Sequence, residues 1–203
     1  MSTGLIYVLS ALFGYLIGSI PFGLILTRLA GYGDIRKIGS GNIGATNVLR
    51  TGNKTLALLT VICDASKAGI AAVIAGCCAG GEASVMASLI AGAFGVLGHN
   101  FPVWLKFKGG KGVASAFGFI LATCWPIAVI ILVVWLVMAF TFKYSSLSAL
   151  TAAVFVPISA YFLAPSAAYV WVYTAIAVLV IVRHHANIKR LLKGEESKIK
   201  LKK

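Results

Sequence analysis

Four long stretches without a charged side chain constrain this chain more than any other feature of its sequence. Residues 1–27, 83–105, 112–142 and 144–182 contain no Asp, Glu, Lys or Arg. A helix needs about 20 apolar residues to cross the hydrocarbon core of a bilayer, and each of these stretches is long enough. Because 60% of all residues are hydrophobic and only 11% are charged, the expected fold class is an all-α integral membrane protein.

The apolar pattern predicts about seven transmembrane helices. They are expected at roughly 5–28, 55–79, 84–98, twice within 113–142, and at 146–164 and 167–183. Trp125-Pro126 marks the turn inside the long run. The third, fourth and fifth helices are short for a full crossing, which favours tilted helices or helix ends drawn into a polar cavity.

The distribution of charge predicts the orientation. The net charge of +13 is concentrated in the connections that follow odd-numbered helices and in the carboxyl-terminal segment. The positive-inside rule therefore places the amino terminus outside and the carboxyl terminus in the cytoplasm. Residues 1–194 are expected to form a single transmembrane domain, and 195–203 a mobile basic tail near anionic lipid headgroups. Nucleic-acid binding is not expected, because the basic residues do not alternate with aromatic residues on a soluble face.

Three polar segments are predicted to lie on the cytoplasmic face, where they could meet at one cavity mouth. The first, GSGNIGATNVLR, runs from Gly39 to Arg50. Its backbone N–H groups could form an anion-binding nest, a helix at 45–50 would add partial positive charge, and Arg50 could bind phosphate through two hydrogen bonds. Its short polar side chains are Ser40, Asn42, Thr46 and Asn47. A polar loop that uses glycine only for turns is the alternative.

The second segment, GHNFPVWLKFKGGKGVA, runs from Gly98 to Ala114. Lys111 stands between Gly110 and Gly112, and it is the lysine best placed to touch a ligand. The segment is not a nucleotide-binding P-loop, because Gly112 occupies the position of the required Ser or Thr and the required upstream glycine is missing.

The third segment, RHHANIKRL, follows the last predicted helix. If that helix continues, His184 and Asn187 share one face, while His185 points about 100° away. A histidine at the membrane surface is usually solvated, but a second polar residue on the same face favours a functional role for His184.

Two charged residues lie within the second predicted helix. Asp64 and Lys67 have the spacing of an intrahelical ion pair. Charged side chains in lipid are costly, and the favoured interpretation is a mutually neutralised pair that supports the site, with direct ligand contact as the alternative. In the first helix, the run Ser19-Ile-Pro-Phe-Gly23 is expected to cause a break or a bend.

In this order and at these separations, the three segments resemble the bacterial acyl-phosphate:glycerol-3-phosphate acyltransferase family. The resemblance covers nearly the whole chain of 203 residues. The residues that it implies for substrate binding are Ser40, Gly41, Asn42, Thr46, Asn47, Arg50, Gly109, Gly110, Lys111, Gly112, His184 and Asn187. Arg50, Lys111 and His184 are also expected to be catalytic. One departure is Ser115, where many relatives have threonine, but the hydroxyl group is retained.

The resemblance implies the first acylation of bacterial phospholipid synthesis. A fatty acyl group moves from acyl phosphate to the 1-hydroxyl of sn-glycerol 3-phosphate, giving lysophosphatidic acid and phosphate. The expected location is the bacterial plasma (inner) membrane, with the active site on the cytoplasmic face and with neither a cofactor nor a metal. The expected partners are acyl phosphate, glycerol 3-phosphate, membrane lipids and the enzyme that forms the acyl phosphate.

The chemistry leaves two proton acceptors open. The chain lacks a His-x4-Asp motif, and acyl phosphate is already activated, so positioning two anions could supply most of the acceleration. Backbone N–H groups at 40–42 and 109–112 are expected to hold the acyl phosphate, while the longer polar side chains hold glycerol 3-phosphate. A phosphate oxygen of the donor is the favoured proton acceptor, and His184 is the competitor.

Two other functions are alternatives that the sequence favours less. A transporter of a phosphate compound would suit cationic loops, but transporters usually bind their substrate near the bilayer midplane and often show internal repeats. A phosphatidyl-alcohol transferase needs an aspartate-rich helix that binds metal. Asp34 and Asp64 are the only aspartates in the chain, and they cannot build such a cluster.

Overall fold

The computed structural model of the chain describes residues 1–199, and all regular secondary structure in that range is helical. The α-helices are α1 Thr3–Gly18, α2 Phe22–Leu29, α3 Ala45–Val48, α4 Lys54–Ala79, α5 Ala83–Asn100, α6 Val113–Thr123, α7 Trp125–Phe142, α8 Ser145–Leu163, α9 Ala167–Arg183 and α10 His185–Leu192. Short 3-10 turns lie at Ile35–Lys37, Leu49–Thr51 and Val103–Leu105.

The chain divides into two compact units. The first, Met1–Thr123, contains α1 to α6, and the described part of the second, which begins at Cys124, contains α7 to α10. The single domain over 1–194 stays a prediction.

Small residues bring the helices of the first unit close together. Gly14 and Gly18 of α1 lie against the backbone of Ala91 and Gly95 of α5, so closely that a Cβ on either glycine would collide with a carbonyl oxygen. Gly118 of α6 meets the backbone of α4 in the same way. Lipid tails are as apolar as the side chains, so helix association in a membrane depends on such close van der Waals contact.

Pro21 lies in a break between α1 and α2. The first helix ends at Gly18 and the second begins at Phe22, which confirms the predicted break. Pro21 has no N–H group to continue the helical hydrogen bonds. The Ile20 carbonyl oxygen accepts a hydrogen bond from Lys67 Nζ at 3.0 Å, so the break is bonded directly to α4.

The number of spanning helices is smaller than predicted when it is judged by length and composition. Within residues 1–199, five helical segments are long and apolar enough to cross a bilayer, and six if α9 and α10 count as one bent span. The apolar helix α6 has 11 residues, or about 17 Å of length, against a hydrocarbon core of about 30 Å. These lengths support five or six spans and do not confirm seven.

The outward surface of the second unit is apolar. Phe140 of α7, Phe162 of α8 and Trp171 of α9 are exposed over 75%, 75% and 74% of their surface. Exposed aromatic side chains on several successive helices are typical of a surface in contact with lipid.

The segment after α10 is bound to the second unit. Glu196 accepts a hydrogen bond from Ser146 Oγ at 2.8 Å, and the Ile199 N–H donates to the Lys143 carbonyl oxygen at 2.7 Å. A carboxylate and a backbone N–H of residues 195–199 both find partners near the start of α8, and the mobile tail after Gly194 stays a prediction. Residues 200–203 lie outside the described range.

Candidate active site

Asn47 organises the first polar segment. Its Nδ2 lies 3.0 Å from the carbonyl oxygens of Ile35 and Ile38 and 2.8 Å from that of Asn42. Its Oδ1 accepts a hydrogen bond from the Ser40 N–H at 3.1 Å. The residue is 1% exposed, so both ends of its amide are engaged inside the loop. These bonds hold the loop in shape, and the binding of substrate by Asn47 stays a prediction.

Arg50 lies over the turn at Gly39. A Cβ on Gly39, which has φ +55°, would collide with the Arg50 side chain. Arg50 itself is exposed, so its cationic group lies at the surface of the loop. The helix α3, between Gly39 and Arg50, is a single turn, Ala45–Val48. Because it is so short, the partial positive charge expected at the start of a helix at 45–50 is small. The other predicted residues of this loop are Ser40, Gly41 and Thr46, which are exposed, and Asn42, which is half-buried.

The loop rests on a small apolar core. Ile35 and Val48 are fully buried and pack with Leu24 of α2. Asp34 begins the turn before Ile35, and its carboxylate accepts hydrogen bonds from the guanidinium and the backbone N–H of Arg36. The Arg36 side-chain hydrogen bond holds the pKa of Asp34 well below its usual range. The carboxylate is therefore ionised at neutral pH, and it fixes the start of the loop.

The second polar segment folds back onto the end of α5. The Gly109 N–H donates to the Asn100 carbonyl oxygen at 3.2 Å, and the Gly110 N–H donates to that of His99 at 3.0 Å. Neither glycine has room for a side chain, because a Cβ on Gly109 would meet the His99 carbonyl and one on Gly110 would meet the His99 ring. Close contact with α5 therefore requires both glycines.

Lys111 comes directly before the last glycine of this segment. Gly112 has φ +83°, a conformation that favours glycine, and it lies against the amide of Asn100. Asn100 is fully buried, and within residues 1–199 neither atom of its amide has a hydrogen-bond partner. Lys111 is half-buried and lies two residues before Val113, where α6 begins. A cation at the start of a helix makes this region favourable for an anion.

Backbone N–H groups of both segments were expected to hold a phosphate, but four of them donate within the chain. Those of Gly109 and Gly110 are bonded to α5, and those of Ser40 and Gly41 are bonded within their own loop. Phosphate binding by these segments stays a prediction, and in this arrangement it would depend mainly on their cationic side chains.

The predicted ion pair in α4 is confirmed. Lys67 Nζ lies 2.9 Å from Asp64 Oδ1, and both side chains are buried. Lys67 Nζ also lies 2.9 Å from Nδ1 of His99, the residue that holds Gly110. This geometry agrees with the interpretation of a neutralised pair that supports the second segment.

A bend at His184 separates α9 from α10. The two helices meet at 57°, so the last predicted helix does not continue straight through the third segment. His184 Nδ1 donates to the Val180 carbonyl oxygen at 2.7 Å, which is the acceptor that an unbroken helix gives to the backbone N–H of residue 184. That N–H bonds to the Ile181 carbonyl at 3.0 Å instead. The side chain thus displaces the backbone and bends the helix.

The predicted segregation of polar residues is confirmed despite the bend. His184 and Asn187 are 3% and 4% exposed, while His185 is exposed. A carbonyl oxygen can only accept, so Nδ1 of His184 carries hydrogen and, in the neutral ring, Nε2 has a lone pair. The structure therefore presents His184 as a hydrogen-bond acceptor through Nε2.

Asn187 is fixed by the segment after α10. Its Nδ2 donates to Glu196 Oε1 at 2.7 Å, and Arg190 Nε donates to Oε2 of the same carboxylate at 2.6 Å. Burial raises the pKa of Glu196, but hydrogen bonds from Arg190, Ser146 and Asn187 outweigh it and hold the pKa below its ordinary value. Asn187 Oδ1 is buried and has no hydrogen-bond partner among residues 1–199. One face of this amide is thus held in place, and the other offers an acceptor.

Three residues of these networks were not predicted: His99, Asn100 and Glu196. For Glu196 a signal existed, since a chain with five acidic residues and a net charge of +13 offers each carboxylate many basic partners. For His99 and Asn100 no local pattern reveals the contacts, because they join the end of α5 to Gly110 and Gly109, which lie 11 and 9 positions further along the chain.

Comparison with known proteins supports the resemblance seen in the sequence. A family model described as glycerol-3-phosphate acyltransferase matches residues 8–194. A glycerol-3-phosphate acyltransferase of Mesorhizobium japonicum is 60% identical over 200 residues, which cover 98% of each chain. One of Rhodospirillum rubrum is 56% identical over 197 residues, which cover 95% of this chain and 91% of the relative.

Two crystal structures of PlsY (YgiH), an integral membrane glycerol 3-phosphate acyltransferase, share the fold. The glycerol 3-phosphate form has a TM-score of 0.88 and 35% identity, with 96% of each chain covered. The lysophosphatidic acid form has a TM-score of 0.86 and 34% identity, with 96% of this chain and 95% of the other covered. Because the similarity in sequence and in structure extends over nearly the whole chain, this protein belongs to the glycerol-3-phosphate acyltransferase family and is an integral membrane acyltransferase.

Proposed function

We propose that this acyltransferase moves a fatty acyl group from an acyl phosphate to the 1-hydroxyl of sn-glycerol 3-phosphate, giving lysophosphatidic acid and inorganic phosphate. The observation that carries the proposal is the match to a solved relative described in a glycerol 3-phosphate form and in a lysophosphatidic acid form. These two molecules are the acceptor and the acylated product of the proposed reaction.

Acyl phosphate is the proposed donor because it brings a second phosphate to a protein with two cationic polar segments. The exposed Arg50 guanidinium can bind a phosphate in a bidentate manner, and the Lys111 ammonium supplies a compact charge near the start of α6. Neither substrate would need a nucleotide or a thioester carrier. Ser40, Asn42 and Thr46 lie on the loop of Arg50 and are proposed as further contacts.

His184 and Asn187 are proposed to bind the glycerol part of the acceptor. Both side chains are buried. Nε2 of His184 carries an acceptor lone pair because Nδ1 donates to Val180, and Oδ1 of Asn187 has no hydrogen-bond partner among residues 1–199. Glycerol 3-phosphate has two hydroxyl groups that can donate to such atoms. This donor–acceptor match supports the binding role that the sequence suggests for the third segment.

The proposed reaction proceeds by attack of the 1-hydroxyl oxygen on the acyl carbonyl carbon. The new ester bond forms as the bond between the carbonyl carbon and the phosphate oxygen breaks, and phosphate leaves with that electron pair. The hydroxyl proton moves to an oxygen of the departing phosphate, which makes catalysis substrate-assisted. Because phosphate is a good leaving group, alignment of the two substrates and neutralisation of their charge supply most of the acceleration. His184 Nε2 is the competing acceptor of the proton.

An apolar groove in the first unit is a candidate position for part of the acyl chain. It has a volume of about 220 Å³, and its walls include Ile17, Phe22, Ile62 and Ile70. Ile62 and Ile70 are each about half exposed on the outer surface of α4, so the groove opens toward lipid. Lys67 also lines it, which connects the groove to the His99 contact with the glycine-rich segment.

We further propose the topology that the charge distribution predicts. Seven spans would place the amino terminus outside, the carboxyl terminus in the cytoplasm and all three polar segments on the cytoplasmic face of the bacterial inner membrane. This face is where a soluble acceptor such as glycerol 3-phosphate and an enzyme that forms acyl phosphate would be available.

The test is a reconstituted assay. Purified protein in liposomes receives labelled glycerol 3-phosphate with either palmitoyl phosphate or palmitoyl-CoA, and lipid products are separated. Lysophosphatidic acid formed only from palmitoyl phosphate is the expected result. Product from palmitoyl-CoA alone, or no product from either donor, contradicts the proposal, and uptake of intact glycerol 3-phosphate into the liposomes would indicate a transporter.

Matched variants assign the roles. Lys111→Ala is expected to lower kcat/KM by at least about 100-fold, because charge stabilisation of the transferred phosphate is lost. Lys108→Ala, which changes an exposed lysine of the same segment, is the control and is expected to retain wild-type activity.

His184→Gln distinguishes between the donor phosphate and His184 as the acceptor of the hydroxyl proton, with His185→Gln as its control. Substantial turnover in His184→Gln supports transfer of the proton to phosphate, and a loss equal to that of Lys111→Ala supports the histidine.

A further inference from the structure

A buried polar cluster in the first unit takes no direct part in the proposed chemistry. Asp64 and Lys67 lie in α4 with side chains that are 3% and 2% exposed. Lys67 is 13 positions after Lys54, the first residue of α4, which corresponds to about 20 Å along the helix axis. Ionisable groups at such depth are costly and usually functional. The pair therefore needs a reason beyond mutual neutralisation.

The Lys67 ammonium is surrounded by three acceptors. Its Nζ lies 2.9 Å from Asp64 Oδ1, 3.0 Å from the Ile20 carbonyl oxygen and 2.9 Å from His99 Nδ1. An ammonium has three N–H donors and no acceptor, so these contacts use all of its donors. The acceptors belong to α4, to the break between α1 and α2, and to α5. Lys67 thus joins three parts of the first unit.

The contact with Lys67 determines which nitrogen of His99 carries hydrogen. Because Lys67 can only donate, Nδ1 of His99 accepts, and the ring is neutral with its hydrogen on Nε2. His184 has the opposite arrangement, since its Nδ1 donates to a carbonyl oxygen. The Asp64 carboxylate, 3.6 Å from Nδ1 of His99, balances the charge of Lys67 beside the neutral ring.

His99 in turn holds the glycine-rich segment. Its carbonyl oxygen accepts from the Gly110 N–H at 3.0 Å. Its ring lies so close to Gly110 that a Cβ there would meet Nε2. A rotation of the ring would therefore displace Gly110 and, with it, Lys111, the next residue. The orientation that Lys67 gives to the ring is transmitted to Lys111 through this contact.

We infer that Asp64, Lys67 and His99 are positioning residues for the acyl transfer. Lys67, neutralised by Asp64, holds His99 in the Nε2–H tautomer and in one ring orientation, and the ring sets the position of Gly110 and Lys111. The inference rests on the proposed function in one respect, the binding of a substrate phosphate by Lys111. In the proposed arrangement none of the three contacts the phosphate groups or the reacting atoms, although Lys67 also lines the groove proposed for the acyl chain.

The first test is the tautomer itself. The chain has three histidines, so a spectrum of protein labelled with 15N-histidine can be assigned with His184→Gln and His185→Gln. At neutral pH, His99 is expected to show a protonated Nε2 and an unprotonated Nδ1, the reverse of His184. A charged imidazolium or a protonated Nδ1 at His99 overturns the inference. The measurement is made on the wild-type chain and requires no activity.

The second test uses a matched pair of variants in α4. Asp64→Asn leaves the Lys67 charge without its counter-charge, and it is expected to lower kcat about 100-fold, the cost of a displacement of roughly 1 Å at a reacting group. The KM for glycerol 3-phosphate is expected to change less than about 3-fold, since this step affects alignment more than binding. Thr60→Val is the control, because the buried Thr60 hydroxyl donates only within α4, to Leu56.

Amide hydrogen exchange gives a structural measurement of the same effect. The Gly109 and Gly110 N–H groups are expected to exchange faster in Asp64→Asn than in the wild type or in Thr60→Val. His99→Asn serves if Asp64→Asn does not fold, since its amide oxygen can still accept from Lys67 while the ring is removed from Gly110. The same loss of kcat and the same faster exchange are expected.

The outcomes separate this inference from the proposed function. A folded Asp64→Asn or His99→Asn enzyme with the kcat and the exchange rates of Thr60→Val overturns the inference. Wild-type protein that makes no lysophosphatidic acid from acyl phosphate overturns the proposed function, whereas the tautomer of His99 and the exchange rates of Gly109 and Gly110 still decide whether the network positions the segment.

Discussion

At the scale of single residues, the glycines of the second polar segment are required for a different reason from the one that the sequence suggests. Glycine beside lysine indicates a backbone that a ligand can approach. In the structure, Gly109 and Gly110 are approached by the chain itself, by the His99 carbonyl and ring. The glycine pattern thus correctly predicts that another group approaches this backbone closely. It does not identify that group, because the spacing of residues in the sequence carries no information about the end of α5.

Substitution of Gly110 measures how much this contact contributes to activity. Gly110→Ala places a methyl group against the His99 ring, and the strain is expected to cost about 1–3 kcal/mol of stability and to lower kcat about 100-fold through displacement of Lys111. Gly4→Ala is the control, since nothing lies within 4 Å of a Cβ there. Thermal unfolding and initial rates are compared in liposomes. Equal rates for the two variants would contradict the role assigned to the contact.

Side-chain roles divide according to chemistry. Arg50 is exposed and Lys111 is half-buried. Their assignment as phosphate ligands stays a prediction, and its physical basis is their positive charge. Asn47 was assigned to substrate by the same reasoning, yet it is 1% exposed and bonded to its own loop. An amide serves equally well inside a loop or toward a ligand, so only the fold distinguishes the two roles.

At the scale of elements, apolar runs locate the helices well, and side-chain hydrogen bonds modify them. The helix predicted at 55–79 is Lys54–Ala79, and the one predicted at 167–183 is Ala167–Arg183, because Lys54 and Gly80 mark the ends of the first and Pro165 and Arg183 those of the second. The bend after α9 was missed, since it depends on one hydrogen bond from His184 to a carbonyl of its own helix. The competition between a side chain and a backbone N–H for the same carbonyl oxygen is local, but the surrounding packing decides which of them forms the hydrogen bond.

The segment after α10 gives a testable dependence on pH. Because the pKa of Glu196 is lower in the folded protein than its ordinary value of 4.5, its ionised form stabilises the fold. This contribution is complete above the unfolded pKa and is lost as the pH falls through the folded pKa. Glu196→Gln is expected to lower the Tm at pH 7 by about 2–4 °C, the shift produced by roughly 1 kcal/mol in a chain of this size, and to weaken the fall in Tm between pH 7 and pH 4.

Glu195→Gln is the matched control for this measurement. Glu195 is the exposed neighbour of Glu196, so its variant carries the same change in net charge without the three hydrogen bonds at 2.6–2.8 Å that Glu196 accepts. Its Tm is expected to follow the wild type at both pH values. Equal shifts in the two variants would mean that net charge, and not the bound carboxylate, controls stability.

At the scale of the whole molecule, the short helix α6 is compatible with the predicted seven crossings if it starts at the depth of the middle of α4. Ser115, in the first turn of α6, donates to the Asp64 carbonyl oxygen at 2.8 Å. Asp64 is ten positions after the start of α4, or about 15 Å along its axis, and the 11 residues of α6 add about 17 Å. Together these lengths match a hydrocarbon core of about 30 Å, so they allow the predicted crossing in which the second segment enters the membrane and α6 completes the span.

This argument predicts the side of the membrane on which α6 ends. Glu82→Cys, Trp125→Cys and Lys108→Cys are each introduced into a chain whose own cysteines are replaced by alanine, and intact cells without an outer membrane are treated with an impermeant maleimide. Glu82→Cys after α4 and Trp125→Cys after α6 are expected to react from outside, and Lys108→Cys only after permeabilisation. Because α6 and α7 are adjacent in the chain, reaction of Trp125→Cys only after permeabilisation, with Glu82→Cys still labelled from outside, would show that α6 does not cross and would reduce the number of spans to six.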